Sequence, residues 1–223
     1  MAQEPLTFQK DILQHVSLNY LRQLPADYGK ETGQKWPMIL FLHGAGERGD
    51  DIEMIKKHGI PRVAEERDLP FVTLSPQCPV NHWWTDYLPF LDALIGQTIE
   101  TLDVDPNRVY LTGMSMGGYG TWHMAVEYPQ RFAAIAPICG GGGWMYGFPM
   151  RVAEIAHLPV WAFHGAKDDT VPLRESQVLV DTLQACDGDV RFTIYPESMH
   201  DSWTETYNNP ELYDWFLSHQ KAV

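Results

Sequence analysis

The sequence predicts an α/β fold, a mostly parallel sheet with helices on both faces, and two observations carry that reading. Short, almost continuously apolar runs of four to seven residues recur along the chain; a strand buried on both faces reads this way because neither face meets water. Between these runs lie segments whose apolar residues return at three- and four-residue steps, the period of a helix resting one face on a sheet. Strands that alternate with helices are joined by crossovers, and crossovers make neighbouring strands parallel.

The elements follow in order. Two antiparallel strands are expected first, over Phe8 to Leu13 and Val16 to Leu21. Pro37 to Leu42 is a buried strand that ends before Gly44, and Phe71 to Leu74 is the next. Leu88, Leu91, Ile95, Ile99 and Leu102 form the stripe of a packed helix. Arg108 to Thr112 is a strand and Met116 to Glu127 a helix, and further strands run over Phe132 to Ile138 and Val160 to Phe163. Leu173 to Cys186 starts after Pro172 and stops at Gly188, the usual proline-start, glycine-stop asymmetry of a helix. Val190 to Tyr195 is the last strand, rich in β-branched and aromatic residues. Asn209 and Pro210 then read as the cap and first residue of a closing helix whose Tyr213, Phe216 and Leu217 face inward.

Composition sets bounds on function. The 223 residues are 44% hydrophobic and 20% charged, enough for one folded domain over the whole length and far from a disordered chain. Lys plus Arg number 16 against 29 Asp plus Glu, a net charge of −13. That field repels phosphate backbones and anionic lipid, so neither nucleic acid nor membrane is expected as a partner. The opening MAQEPLTFQKD lacks a basic segment followed by an apolar one, so no signal peptide is expected. Cys78, Cys139 and Cys186 are odd in number and widely spaced, which argues against a disulfide framework or a zinc site. Cys78 and Cys139 read as buried thiols, and a cytoplasmic location is expected.

In parallel sheets chemistry collects beyond the carboxyl ends of the strands. Four such ends carry unusual sequence here: His43-Gly44-Ala45-Gly46, Gly113-Met114-Ser115-Met116-Gly117, His164-Gly165-Ala166-Lys167-Asp168 and Ser198-Met199-His200-Asp201. The second fits G-x-S-x-G with a strand before it and a helix after it, the setting of a nucleophilic serine on a tight turn. A serine hydroxyl needs a base to take its proton. His200 lies in the loop between the last strand and the closing helix, where that base belongs. His43 is committed to its turn, His123 is expected to pack within its helix, and His164 to make a structural hydrogen bond. The acid that orients the base should follow the strand ending at Phe163, where Asp168 and Asp169 both stand, one of them as a turn or cap carboxylate. Spacing does not separate the two. The oxyanion of an acyl-transfer intermediate needs two backbone donors, and the N–H groups of Met116 and Ala45 are the candidates. Glu47, Arg48, Asp50 and Asp51 are read as ion pairs that brace the Ala45 loop, with no chemistry of their own.

Taken together, HGAGERGDD, GMSMGGYGTW, HGAKDDTVP and MHDSW resemble the phospholipase/carboxylesterase group of α/β-hydrolases, including its esterase relatives described as predicted peptidases. The resemblance runs from Trp36 to Trp203. It implies an α/β-hydrolase fold with about seven or eight strands and helices on both faces. It puts the nucleophile on Ser115, the base on His200 and the acid on Asp168, four residues after His164 and before Val171-Pro172. The implied activity is hydrolysis of a small-molecule carboxylic ester through an acyl-enzyme, with no cofactor and no metal. Feruloyl or acetyl-xylan esters, thioesters and small peptides are alternative substrates for the same triad, and a non-catalytic binding module is the remote alternative.

Only Cys139 to Pro159 are available to cover the site, too few residues for a separate lid domain, so an open pocket for short or medium esters is expected. Trp83, Trp84, Trp144, Tyr146 and Trp203 flank the motifs, and an aromatic cluster beside a wet cleft can hold an acyl or aryl group. Of these, Trp83, Trp84 and Trp203 are the expected substrate-binding residues.

Overall fold

A computed structural model describes residues 3–11, 13–143 and 147–221. Seven strands form one sheet: β1 (Tyr20–Gln23), β2 (Trp36–Leu42), β3 (Val72–Pro76), β4 (Val104–Met114), β5 (Ala134–Ile138), β6 (Val160–Gly165) and β7 (Val190–Tyr195). Their order is β1-β3-β2-β4-β5-β6-β7. β1 runs antiparallel to β3 and every other neighbour pair is parallel. The helices are α1 (Gly59–Glu66), α2 (Leu88–Thr101), α3 (Met116–Glu127), α4 (Arg174–Ala185), α5 (Trp203–Asn208) and α6 (Pro210–Leu217).

The apolar runs are buried on both sides for the reason their composition suggests. Along β2 successive side chains alternate between faces. Met38, Leu40 and Leu42 join one core with Leu91 and Ile95 of α2, Trp122 of α3 and Leu179 and Leu183 of α4. Ile39 and Phe41 enter a second core on the opposite face, with Ile60 and Val63 of α1 and Leu212 and Phe216 of α6. Among the described residues no separate lid domain stands over the sheet; the stretch between β5 and β6 holds a short 3-10 turn at Met150–Ile155. Trp144 and Tyr146 lie outside the described residues.

Among the described residues the N-terminal pair of strands is not formed. Residues 3–11 and 13–19 are irregular, and one strand, β1, begins at Tyr20 and pairs with β3. Phe8 and Leu13, the ends of the first expected strand, are 85% and 99% exposed, as is Leu6 at 84%, so these apolar side chains pack on nothing. A two-stranded ribbon with neither face buried is marginal in water. α1, which the periodicity did not single out, spans only eight residues.

The sheet order reverses between β3 and β4, on either side of β2. Loops leaving the carboxyl ends of β2 and β4 therefore diverge and leave a crevice between them. β5, β6 and β7 follow in sequence, so the loops after β6 and β7 lie side by side.

Candidate active site

The crevice is built around a sharp turn. Ser115 stands between β4 and α3 with φ 53° and ψ −117°, a conformation that costs a residue bearing a Cβ on the order of 1–3 kcal/mol. The turn closes only because its flanks lack side chains. A Cβ on Gly117 would lie 1.9 Å from the Leu42 carbonyl oxygen, and one on Gly113 would lie 2.3 Å from the Gly117 oxygen. α3 is thereby pressed against the end of β2, with Ser115 raised at its N-terminus.

His200 and Asp168 arrive from the neighbouring loops. His200 Nε2 is 2.9 Å from Ser115 Oγ, and His200 Nδ1 is 2.7 Å from Asp168 Oδ2. The carboxylate can only accept, so Nδ1 carries the proton and Nε2 is left to accept from the serine hydroxyl. The other carboxylate oxygen, Asp168 Oδ1, accepts the backbone N–H groups of Thr170 and Val171 at 2.9 and 2.8 Å. Those two donors fix which aspartate faces the histidine. Asp169 points away and meets the Thr170 hydroxyl at 3.4 Å. The side chain of Asp168 is fully buried whereas that of His200 is 21% exposed, so the imidazole stands between a dry acid and the open crevice.

Two buried histidines hold the loops that carry the other parts. The Cys78 N–H donates to His43 Nε2 at 2.9 Å, which leaves the proton on Nδ1, and Nδ1 donates to the Gly44 carbonyl at 2.6 Å. Burial lowers the His43 pKa to about 4, with a smaller opposing pull from the Gly44 carbonyl and a further push down from Arg48. At the end of β6, His164 Nε2 donates to the Val171 carbonyl at 2.9 Å and Nδ1 lies 2.7 Å from Ser176 Oγ. Burial lowers its pKa as well. Neither ring faces Ser115 in these bonds.

A cavity of about 680 Å³ opens at Ser115, with Ala45, Met116, Trp83 and Tyr119 among its lining residues. Ala45 begins a 3-10 turn and Met116 begins α3, so each has an amide N–H that its own helix leaves without an acceptor. Ser115, Tyr119 and His123 sit four residues apart on one face of α3 and make one wall. That spacing is legible in the sequence, but Tyr119 and His123 were not expected to line a cavity. His123 does pack, its Nε2 donating to the Gly142 carbonyl at 2.9 Å, and it shows an edge to the cavity as well.

The three aromatic candidates part company. Trp83 lines the cavity and is 53% exposed. Trp84 also lines it, but the ring is buried and its indole N–H donates to the His43 carbonyl at 2.9 Å, so most of it belongs to the scaffold. Trp203 does not line this cavity. It stands edge-on to the His200 ring, centroids 5.1 Å apart, and borders a separate cleft of about 250 Å³ with His58 and Arg62. It is the first residue of α5, three residues after His200, and its ring also meets the His58 ring edge-on at 5.7 Å.

Among the described residues, Cys139, Asp168 and His200 are the one group of three possible metal ligands, with donor atoms within 4.8 Å of one another. The donor set fits a metal poorly. His200 Nδ1 and Asp168 Oδ2 are spent on each other, and burial pushes the Cys139 thiol up to about 12, away from the thiolate that ligates.

A family model described as phospholipase/carboxylesterase matches residues 73–209, more than half of the chain. The chain belongs to the phospholipase/carboxylesterase family. In sequence it is similar to a bifunctional acetylxylan esterase/xylanase from Neocallimastix patriciarum, 32% identical over 140 residues, covering 60% of this chain and 20% of that protein. It is also similar to a poly(3-hydroxyoctanoate) depolymerase from Pseudomonas fluorescens, 27% identical over 173 residues, covering 66% of this chain and 62% of that one. The crystal structure of a thermostable esterase superposes with a TM-score of 0.78 and 33% identity, over 92% of this chain and 60% of that chain. The chain thus spans less than two thirds of the length of each of these relatives.

Proposed function

We propose that this chain is a serine carboxylesterase that hydrolyses short- to medium-chain carboxylic esters through an acyl-enzyme. The hydrogen-bond chain from Ser115 Oγ through His200 to Asp168, ending beside an open cavity, carries the proposal. Ser115 Oγ attacks the ester carbonyl carbon while His200 Nε2 takes the hydroxyl proton, and the carbonyl oxygen becomes an oxyanion. The N–H groups of Met116 and Ala45 receive that oxyanion. The intermediate then collapses, the C–O bond to the alcohol breaks, and His200 returns the proton to the leaving alkoxide. Water, deprotonated by the same nitrogen, attacks the acyl-Ser115 ester; the acyl C–Oγ bond breaks, His200 returns the proton to Ser115 Oγ, and the acid is released. Asp168 keeps the proton on Nδ1 throughout and stabilises the imidazolium each time it forms.

Trp83 and Tyr119 give the cavity an aromatic wall, which supports aryl-bearing esters of the feruloyl kind as a second substrate reading. The free thiols of Cys78, Cys139 and Cys186 support a reducing, cytoplasmic setting. The test is hydrolysis of p-nitrophenyl acetate, butyrate, octanoate and palmitate by the wild type beside Ser115→Ala. Turnover favouring the shorter chains, with a loss on the order of 10⁶ in the alanine variant, is the expected result. Equal rates in both proteins would remove Ser115 from the mechanism, and a steep rise toward palmitate would refute the open short-chain pocket.

A further inference from the structure

Among the described residues no Asp, Glu, Lys or Arg lines the cavity at Ser115, yet a cation stands at its rim. Arg48 Nε donates to the Ala45 carbonyl at 3.0 Å and Nη1 donates to the His82 carbonyl at 3.2 Å. Its guanidinium carbon lies 5.3 Å from the ring centroid of Trp83. Ala45 and Trp83 both line the cavity, so the group is pinned where the Ala45 loop meets the exposed tryptophan. Among the described residues no carboxylate oxygen comes within 4.0 Å of its nitrogens. Arg22 and Arg67 share this lack among the described residues, Arg67 over the Tyr213 ring, whereas Arg62, Arg108, Arg131, Arg151, Arg174 and Arg191 each pair with a carboxylate at 3.8 Å or closer; of the three unpaired arginines Arg48 is the one bonded to a residue of the cavity wall.

In a chain with 29 acidic and 16 basic residues, an unpaired guanidinium at the rim of the cavity sets a local positive charge against the net field. Two neighbouring carboxylates turn away from it, although Glu47 Oε2 is buried without a hydrogen-bond partner of its own. Asp86 accepts the Trp83 N–H at 3.0 Å and lies 3.4 Å from His82 Nδ1, while Glu47 turns toward His43 and His58 at 3.9 and 4.0 Å. A guanidinium has five N–H donors in a planar fork, and backbone carbonyls occupy only two of them here. The remaining donors match a carboxylate, and the two carbonyl bonds with the cation–π contact to Trp83 hold the group at the rim.

We infer that Arg48 is a specificity-determining residue that binds a carboxylate on the substrate, so that the preferred esters combine an apolar body for the cavity with a carboxylate for its rim. This rests on the ester-hydrolase reading of the same site. The carboxylate can sit on the acyl or the alcohol side of the ester, and two substrate pairs distinguish them. Monoethyl adipate against ethyl hexanoate probes the acyl side, and meta-carboxyphenyl butyrate against phenyl butyrate probes the alcohol side.

The experiment measures kcat/KM for each ester with the wild type, Arg48→Gln and Arg48→Lys. The wild type is expected to favour the charged member of at least one pair on the order of tenfold, the worth of one charge-assisted contact at a partly exposed site. Arg48→Gln should bring that ratio to one or below, chiefly through KM, because the net charge of −13 then repels the anion unopposed. Arg48→Lys should keep part of the preference, and raising the ionic strength should shrink it. If Arg48 only clamps the Ala45 loop, Arg48→Gln will lower charged and neutral esters alike with the ratio unchanged, and the inference falls. It falls equally if the wild type favours the neutral member of both pairs. No turnover of any of these esters, together with no labelling of Ser115 by a fluorophosphonate, would instead overturn the ester-hydrolase reading beneath it.

Discussion

The tripeptide His-Gly-Ala occurs twice at the end of a parallel strand, as His43-Gly44-Ala45 after β2 and as His164-Gly165-Ala166 after β6. The two corners begin alike. Each histidine is fully buried, has its pKa lowered by that burial, and bonds to the backbone of the loop it starts. They differ in what passes over the glycine. A Cβ on Gly44 would meet the tip of the Glu47 side chain at 3.1 Å, which can move. A Cβ on Gly165 would meet the Met199 and Ser198 carbonyl oxygens at 2.1 and 2.4 Å, which are the backbone leading into His200. The first corner presents an amide to the cavity and has slack. The second is a crossing point of two loops, tied by Ala166 N–H to Tyr195 O at 2.9 Å and Lys167 N–H to Ser198 O at 3.0 Å. One tripeptide thus serves two purposes, and the crossing loop decides which.

The largest effect expected from this difference lies at the acid of the second corner. Asp168→Asn should lower kcat on the order of 10⁴, because an amide facing Nδ1 no longer fixes the tautomer that leaves Nε2 free for Ser115. Asp169→Asn, one residue on, should stay within about threefold, since its exposed carboxylate touches only the Thr170 hydroxyl. Both are read as kcat on whichever p-nitrophenyl ester the wild type turns over best. Comparable losses in the two variants would contradict the assignment of Asp168 as the orienting acid.

The glycines themselves sharpen the comparison next. Gly165→Ala should cost about 3 kcal/mol or more, since backbone would have to move to admit the methyl group. Whatever folds should also be less active, because the displaced backbone carries His200. Gly44→Ala should cost less than about 1 kcal/mol, as only a side-chain tip must yield and the residue already has an ordinary φ of −77°. Urea unfolding of both variants, with kcat measured on the folded protein, tests the ranking. A Gly165→Ala protein as stable and active as Gly44→Ala would show that the crossing is not tight.

These contrasts explain what could be read from the sequence. The alternation of apolar runs with helical stripes predicted the parallel sheet, and the turn at Ser115 was legible because steric crowding leaves so few residue types for Gly113 and Gly117. The choice between Asp168 and Asp169 was not legible from spacing, because it is made by the Thr170 and Val171 amides, whose directions appear only once the loop is folded. The same holds for Trp203, whose position next to His200 in sequence gives no sign that its ring backs the histidine rather than facing the cavity. The N-terminal strands misled for another reason. Apolar residues make a strand only where something covers them, and Leu6, Phe8 and Leu13 stand exposed. Tyr119 and His123 carried a usable signal in their four-residue spacing from Ser115, a helix face read from the nucleophile outward.

A further effect belongs to the first corner and appears as a pH dependence of stability. His43 titrates near its usual value of 6.5 when the chain is unfolded and near 4 when buried. Between those values the unfolded chain binds more protons, so stability rises with pH across this window: the contribution is complete above about 6.5 and is lost as pH falls toward 4. The hydrogen bonds give the same sign, because a proton on Nε2 would face the Cys78 N–H that now donates to it. Protonation must break that contact, and with it the tie between the β2 corner and the strand end after β3. From about pH 7.5 to about pH 4.5 the loss assignable to His43 is on the order of 2–3 kcal/mol. His43→Gln keeps an oxygen that can accept the Cys78 N–H but does not titrate. Its urea-derived stability should therefore fall less than that of the wild type over the same interval, by about that amount. His164 titrates in the same sense and remains in the variant, so part of the slope should persist. Equal slopes in the two proteins would mean that acid reaches the fold through the β6 corner first, and that the β2 corner opens without protonation of its histidine.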